Sequence, residues 1–321
     1  MSFLDTFTNL IFAAVLAGAP YLFGTVGEII NQKVGHLNLG VEGMMALGAC
    51  AGFMVGYYTN NLLIAILAAF ASGALGALIY AFLTVTLMAD QNVTGLTLTI
   101  FGVGLSNFIG EFMLNSSANN TLKLPELINS QLRGINIPGL SQIPVIGKLL
   151  FSYDIFVYLG VVLAILVGIY LNKTHLGRNI RAIGENPAAA DAAGISVVKL
   201  KYLNLLLGGG ICGIGGACTS LIRNNGVWLS NSVGGAGWIS VALVIFATWS
   251  PTKAILGSLV FGAFSVLKYY IPKSAIPIPN AFYDMLPFLI TAIVLVVTSI
   301  KQSRESSQPA ACGTNYFREE R

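Results

Sequence analysis

The chain has 321 residues, of which 55% are hydrophobic and only 9% are charged, and its mean hydropathy is +0.77. Soluble domains carry about 25% charged residues, so this composition excludes a water-soluble globular protein and predicts an integral membrane protein. The formal net charge of +4 therefore does not indicate nucleic-acid binding. It is explained better by Lys and Arg residues that hold loops on the cytoplasmic side of a membrane.

Apolar stretches that are long enough to cross a bilayer recur along the chain. Because a crossing helix needs about 20 apolar residues, we expect an all-α, polytopic bundle of about nine spans, within a range of about eight to ten. The expected spans are 7–27, 39–57, 62–88, 94–114, 151–171, 202–222, 237–250, 254–270 and 282–300. Residues 1–300 would then form one transmembrane domain, and residues 301–321 a tail.

The positive residues indicate an orientation. If the polar loop 172–201 is cytoplasmic, strict alternation of the spans places 11 Lys and Arg residues inside and 6 outside. Since cytoplasmic loops carry the excess of positive charge, the N-terminus is predicted outside and the C-terminus inside. The polar, proline-interrupted stretch 115–150 then becomes an external loop.

The second span begins with the glycine-rich stretch "LNLGVEGMM". Glycine permits breaks in a helix, and polar groups within spans usually face a path or a partner. Asn38 and Glu42 are therefore candidates for contact with a polar, uncharged solute. The alternative is that the Glu42 carboxylate stabilises a helix N-terminus or bonds to a neighbour.

Four further residues are candidates for the path. Asn92 and Thr94 stand at the start of the fourth span. Trp228 and Trp238 flank a second glycine-rich stretch, "NSVGGAGW", and are suited to stack on a sugar or a base. Paired broken helices are typical of transport sites, although loop flexibility and interfacial aromatic residues explain these features equally well.

The loop 172–201 contains the stretch "GRNIRAIGENPAAADAAGISVVKLK", which predicts two short helices. Asn186 is suited to cap the second helix, Pro187 to occupy its first position, and Gly194 to end it. The first helix would run from Leu176 to Ile183 and stop at Gly184. Helices this short are marginal in water, so they must pack on the spans or on a soluble partner.

Catalysis and metal binding are not indicated. His36 and His175 are isolated, and the four cysteines form no C-x-x-C motif. The chain also lacks the G-x-x-x-x-G-K-[ST] sequence that binds ATP phosphates. We therefore predict that it is not an enzyme and binds no cofactor.

Two longer stretches of the chain are "LGRNIRAIGENPAAADAAGISVVKLKYLNLLLGGGICGIGGA" and "GEIINQKVGHLNLGVEGMMALGA". Together they resemble permease subunits of bacterial ABC importers of the simple-sugar and nucleoside branch, which includes ribose and branched-chain amino acid permease-like proteins. The second stretch is most similar to nucleoside permeases. The resemblance implies a type II importer-like fold in a bacterial cytoplasmic membrane. It also implies a path for a nucleoside or related ribosyl or sugar solute.

The resemblance further implies partners. These are a separate ABC ATPase subunit that binds ATP, a second non-identical permease subunit, an extracytoplasmic substrate-binding lipoprotein, the small-molecule solute and membrane lipid. Loop 172–201 would couple the chain to the ATPase. The coupling residues would be Arg178, Asn179, Arg181, Gly184, Glu185, Asn186, Pro187, Ala190 and Gly194. The alternative function is an ion-coupled secondary transporter of a small polar solute, which would use intramembrane carboxylates as relays.

Overall fold

The structure is a computed structural model that describes residues 3–117, 121–132, 134, 146–270, 279–301 and 307–317. Within these ranges the regular structure is helical. The helices are α1 Phe3–Lys33, α2 Val41–Thr59, α3 Leu62–Ala81, α4 Gln91–Asn115, α5 Glu126–Leu132, α6 Ile146–Phe151, α7 Ile155–Lys173, α8 His175–Glu185, α9 Pro187–Ala192, α10 Val197–Cys218, α11 Ala236–Phe246, α12 Pro251–Tyr270 and α13 Asn280–Lys301. One π-helical turn extends α3 to Thr86 and another extends α10 to Arg223.

Each of the nine apolar segments predicted from the sequence coincides with one of these helices. Among the described residues, six helical segments are long and apolar enough to cross a membrane: Asp5–Lys33, Leu62–Thr86, Gln91–Asn115, Ile155–Lys173, Val197–Arg223 and Asn280–Val297. The helix α11 has only 11 residues, which is about half of what a bilayer requires. The predicted external loop 115–150 contains the two short helices α5 and α6.

The first four and the last four of these helices pack in the same order. Helix α1 packs against α12 and α11, just as α10 packs against α3 and α2, and α2 packs on α4 as α11 packs on α13. Helices α1 and α10 lie at the centre and contact each other. The two sets of four helices therefore share one packing order, and internal structural repeats of this kind are common in transporters.

Small residues allow the two central helices to approach closely. A Cβ atom on Gly27 of α1 would overlap the carbonyl oxygen of Gly208 on α10, and one on Gly213 would overlap the carbonyl oxygen of Ala69 on α3. Backbone contacts of this kind drive helix association where no hydrophobic gain exists. The central helices are thereby held close together, and non-helical segments lie directly before α2 and α11.

Candidate functional site

The turn before α2, residues 34–40, is mostly buried, and many of its polar groups are hydrogen-bonded. The Asn38 side chain is 0% exposed, and its Oδ1 accepts a hydrogen bond from the Gly40 N–H at 2.9 Å. The Asn38 N–H donates to Glu28 Oε1 at 3.0 Å. Glu28, also 0% exposed, accepts further bonds from the Asn31 and Gln32 side-chain amides at 2.9 Å each.

Side chains of α3 and α4 pair further backbone groups of this turn, whereas the two ring nitrogens of the buried His36 have no hydrogen-bond partner among the described residues. The N–H of Leu37 donates to Gln91 Oε1 at 2.9 Å, and the Leu37 carbonyl oxygen accepts from the Tyr80 hydroxyl at 2.8 Å. The Thr99 hydroxyl donates to the carbonyl oxygen of Leu39 at 2.9 Å. Buried backbone groups are costly unless they are hydrogen-bonded, so these contacts hold the non-helical backbone of residues 34–40 in one conformation.

The turn before α11, residues 224–235, is more open. It contains five residues with positive φ, which are Asn225, Gly226, Asn231, Gly234 and Gly235. It is attached to residues 121–124 by two backbone bonds, from the N–H of Leu124 to the Gly226 carbonyl at 2.8 Å and from that of Trp228 to the Leu122 carbonyl at 2.9 Å. Asn231 and Gly234 are exposed.

Glu42 joins the two turns. Its Oε1 accepts from the Gly235 N–H at 2.8 Å, and its Oε2 accepts from the Gly237 N–H at 2.6 Å. The first N–H groups of a helix are unpaired and carry partial positive charge, so a carboxylate is favoured at this position. Glu42 is itself in the first turn of α2, so its side chain links the start of α2 to the start of α11.

Two cavities lie on either side of residues 231–235. The first, the Glu42 cavity, has about 250 Å³ and is lined by Glu42, Ser106, Asn107, Asn231 and Ser232 among others. The second, the Trp238 cavity, has about 1120 Å³. Its lining includes Tyr21, Arg223, Asn225, Trp238, Tyr269 and Tyr283. Gly234 and Gly235 line both cavities, so this short backbone segment separates them.

The predicted path residues occupy different surroundings. Glu42 and Trp238 line the cavities just described, whereas Asn38 is buried in the first turn. Trp228 is 2% exposed, with its ring centroid 5.5 Å from that of Phe53, which favours a packing role. Asn92 is exposed in the first turn of α4, and Thr94 on the same turn is 8% exposed.

Sequence analysis did not select Asn107 and Asn231 for the path. The Asn107 side-chain amide makes two hydrogen bonds to Asn231. Its Nδ2 donates to Asn231 Oδ1, and its Oδ1 accepts from the Asn231 backbone N–H, both at 2.8 Å. This pair fixes the second turn to α4. The position of Asn231 at the head of "NSVGGAGW" was the one sequence feature that could have indicated its place beside the cavity.

The helices α8 and α9, called here the α8–α9 unit, are capped as the sequence predicts. Asn186 Oδ1 accepts from the Ala189 N–H at 3.0 Å, Pro187 occupies the first position of α9, and Gly194 has a φ of +83°. Ala190 is 3% exposed and its N–H donates to the Asn186 carbonyl at 3.1 Å.

The prediction that Gly184 ends the first helix was wrong, because α8 continues through Gly184 to Glu185. The glycine is required for a different reason: a Cβ atom there would overlap the carbonyl oxygen of Lys33 at the end of α1. Helix α8 is thus pressed against α1, and its residues Ile180 and Ile183 are 0% exposed.

The outer face of α8 is polar. Arg178, Arg181 and Glu185 are exposed, and Asn179 on the same helix is half-buried. The three exposed residues border a cleft of about 640 Å³ whose lining also includes Lys33 and Lys253. The unit therefore combines an apolar face packed on the bundle with an exposed, polar and mainly basic face that borders this cleft.

The comparisons with known proteins concern almost the whole chain. Residues 10–295 match the protein family described as the permease component of branched-chain amino acid transport systems. The chain is 32% identical to the nucleoside ABC transporter permease protein NupC of Lactococcus lactis subsp. cremoris, over 99% of both chains. It is 32% identical to the guanosine ABC transporter permease protein NupQ of Bacillus subtilis, over 88% of this chain and 89% of the relative.

A third relative is the glucose ABC transporter permease protein TsgB13 of Haloferax volcanii, which is 26% identical over 89% of this chain and 75% of its own. The matched residues 10–295 include most of α1, all of α10, the turns 34–40 and 224–235, and the α8–α9 unit. The chain therefore belongs to the family of branched-chain amino acid transport system permease components, and it is a membrane-spanning permease subunit of an ABC transporter.

Proposed function

We propose that this permease forms the translocation path of an importer for a nucleoside or a related ribosyl or sugar solute. The observation that carries the proposal is the pair of hydrogen bonds from the Gly235 and Gly237 N–H groups to the Glu42 carboxylate, called here the Glu42 joint. It connects the starts of α2 and α11, and it lies beside the wall between the two cavities, which is formed by residues 231–235. Movement of residues 231–235 relative to Glu42 would connect the two cavities and open a route past α11.

The cavity linings support this solute class. The Glu42 cavity offers hydroxyl and amide groups from Ser106, Asn107, Asn231 and Ser232, which match the hydroxyl groups of a sugar. The Trp238 cavity offers aromatic faces from Trp238 and Tyr269, on which a base can stack. Small-molecule sites combine these two features, apolar or aromatic walls and a few placed polar groups.

We further propose nine membrane crossings, counting α2, α11 and α12 beside the six long apolar helices, with the N-terminus outside and the C-terminus inside a bacterial cytoplasmic membrane. Helix α11 would cross together with the irregular turn before it, since non-helical backbone is tolerated where it lines a cavity. This orientation places the basic face of the α8–α9 unit in the cytoplasm, in accord with the distribution of Lys and Arg.

The transport complex would contain three further kinds of subunit. A separate ATPase subunit would bind ATP and dock on the α8–α9 unit, and a second, non-identical permease would complete the path. A substrate-binding lipoprotein on the outer side would deliver the solute. The polar face of α8, with Arg178 and Arg181 exposed, supports such a docking role because a helix face that is free of the bundle is available to a partner.

Uptake by a reconstituted complex tests the proposal. Proteoliposomes that contain this chain, the ATPase, the second permease and the lipoprotein should accumulate tritiated guanosine when ATP is enclosed with the ATPase. Unlabelled adenosine or unlabelled glucose is added in separate experiments, and the one that reduces guanosine accumulation identifies the solute class. Accumulation that needs an ion gradient and no ATPase would contradict the proposal and favour the secondary transporter, which the family assignment does not favour.

The Ala190→Pro variant tests the role of the α8–α9 unit. Proline removes the bond from the Ala190 N–H to the Asn186 carbonyl and clashes with the preceding turn, which costs about 3 kcal/mol or more in a helix interior. We expect normal amounts in the membrane, loss of the ATPase during purification, and no ATP-driven uptake.

The matched control is Ala189→Ser, an exposed change on the same helix that leaves the backbone bonds intact. Retention of both ATPase binding and uptake by Ala190→Pro would show that the unit is only a connection between α7 and α10.

A further inference from the structure

The C-terminal segment 307–317 packs along the end of the bundle that carries the α8–α9 unit, and it contacts both helices of that unit. The Ala311 N–H donates to the carbonyl oxygen of Gly184 on α8 at 2.9 Å. The Tyr316 hydroxyl donates to Asp191 Oδ2 on α9 at 2.9 Å. Pro309 is buried, and it lies close enough to Gly184 to contact a Cβ atom placed there.

The same segment also holds the turn between α3 and α4. Asn315 Nδ2 donates to the carbonyl oxygens of Met88 at 2.7 Å and Ala89 at 3.0 Å. Gln91 Nε2 donates to the Thr314 carbonyl at 3.2 Å and to Asn315 Oδ1 at 3.1 Å. The segment has no regular secondary structure, and besides turn bonds within itself it is paired with other parts of the chain through these contacts.

Gln91 connects the C-terminal segment to the turn 34–40. The side chain is 1% exposed, and its Oε1 accepts from the Leu37 N–H while its amide group holds the tail. Leu37 directly precedes Asn38, which positions the start of α2, and Glu42 follows four residues later. A continuous series of hydrogen bonds and short helix segments therefore runs from Asp191 on α9 to the Glu42 joint.

We propose that residues 307–317 form a strap that transmits movement of the α8–α9 unit to the Glu42 joint. The inference rests on the proposed function, since it assumes that an ATPase displaces that unit. A rigid connection of this kind explains why an irregular segment makes so many specific contacts. It also gives the nucleotide state of the ATPase a mechanical route to the wall between the two cavities.

Two substitutions remove hydrogen-bond donors that hold the strap while they keep the size of the side chain. Asn315→Asp keeps an acceptor for Gln91 and replaces the donor that faces the Met88 and Ala89 carbonyls by an oxygen. Gln91→Glu keeps the acceptor for the Leu37 N–H and loses the donor to the tail. The control is Phe317→Ala, which removes an exposed side chain at the end of the same segment.

The readout is the accessibility of the Glu42 cavity, which needs no knowledge of the solute. A cysteine introduced by Ser232→Cys is labelled with a membrane-impermeant maleimide in the reconstituted complex, first without nucleotide and then after trapping with ATP and vanadate. The native cysteines give little background at neutral pH. Cys50, Cys212 and Cys218 are buried, and Cys312, which lies on the strap itself, is replaced by serine in every background.

We expect the labelling rate to differ between the two nucleotide states by about threefold or more in the Ser232→Cys background and its Phe317→Ala control. Asn315→Asp and Gln91→Glu should lose most of this difference while they retain the ATPase and its basal hydrolysis.

A full nucleotide response in both strap variants would overturn the strap alone. Loss of ATPase binding in both would also overturn it, because the segment would then serve assembly. Absence of any response in the Ser232→Cys background, with the ATPase bound, would contradict the proposed function and the strap together.

Discussion

The turns that precede α2 and α11 occupy equivalent places in the two sets of four helices, yet they differ in how they are held. The turn 34–40 is enclosed, and its backbone is paired with Glu28, Tyr80, Gln91 and Thr99. The turn 224–235 has exposed residues and adjoins both cavities. The difference indicates a fixed support and a movable wall, joined by Glu42.

The largest expected effect comes from disabling the fixed support. In Glu28→Ala, the buried amides of Asn31 and Gln32 and the Asn38 N–H lose a shared acceptor, which should lower the free energy of unfolding by about 3 kcal/mol or more. Thermal unfolding in detergent, followed by size-exclusion chromatography, measures this loss. Glu111→Ala, at an exposed position of α4, is the matched control and should unfold at the wild-type temperature.

The next effect comes from weakening the joint between the turns. In Glu42→Gln, one of the two acceptors becomes a donor that faces an N–H group, and the favourable charge at the α11 N-terminus is lost, at a cost of about 2 kcal/mol. We expect assembly with the ATPase to persist while guanosine uptake falls by about tenfold or more. Wild-type uptake at equal expression would return Glu42 to a purely structural role.

A smaller effect is expected from loosening the movable wall. Asn107→Ala removes both hydrogen bonds of this pair, at an exposed site, and should cost about 1 kcal/mol of stability. Asn231→Ala removes only the bond to Asn231 Oδ1, because its backbone N–H still donates to Asn107, and the double variant should cost little more than Asn107→Ala alone. Uptake kinetics should change in these variants and remain unchanged in Ser230→Ala, an exposed neighbour. Strictly additive effects in the double variant would show that the pair does not act together.

The smallest effect is expected at Asn92, an exposed residue in the first turn of α4 that lines neither cavity. Asn92→Ala should alter stability by no more than about 0.5 kcal/mol and leave uptake unchanged. A clear loss of uptake would place Asn92 on the path, and the boundary of the path would then extend beyond the two cavities.

Local features were predictable from the sequence, and distant partners were not. The caps at Asn186 and Gly194 depend on neighbouring residues, and the apolar segments depend on composition, so both could be predicted. The Glu42 carboxylate finds its donors at Gly235 and Gly237, 193 and 195 residues further along the chain. A single sequence contains no pattern that pairs them.

Two other features show the same limitation. Gly184 was taken for a helix end, because glycine commonly ends helices, whereas its lack of a side chain serves the close approach of Lys33. The tail 301–321 had no periodicity to interpret, yet residues 307–317 dock through side-chain contacts such as Asn315 to Met88. Such contacts depend on the three-dimensional arrangement of the whole bundle.

Hydrogen–deuterium exchange of the assembled complex tests the fixed support and the movable wall in one measurement. Exchange reports local opening of backbone hydrogen bonds, and it is compared between the nucleotide-free and the vanadate-trapped complex. We predict that peptides covering 231–235 change their exchange rate between the two states, while peptides covering 36–40 remain slow in both. Opening of 36–40 in either state, or an unchanged rate in 231–235, would contradict the assignment of the two turns.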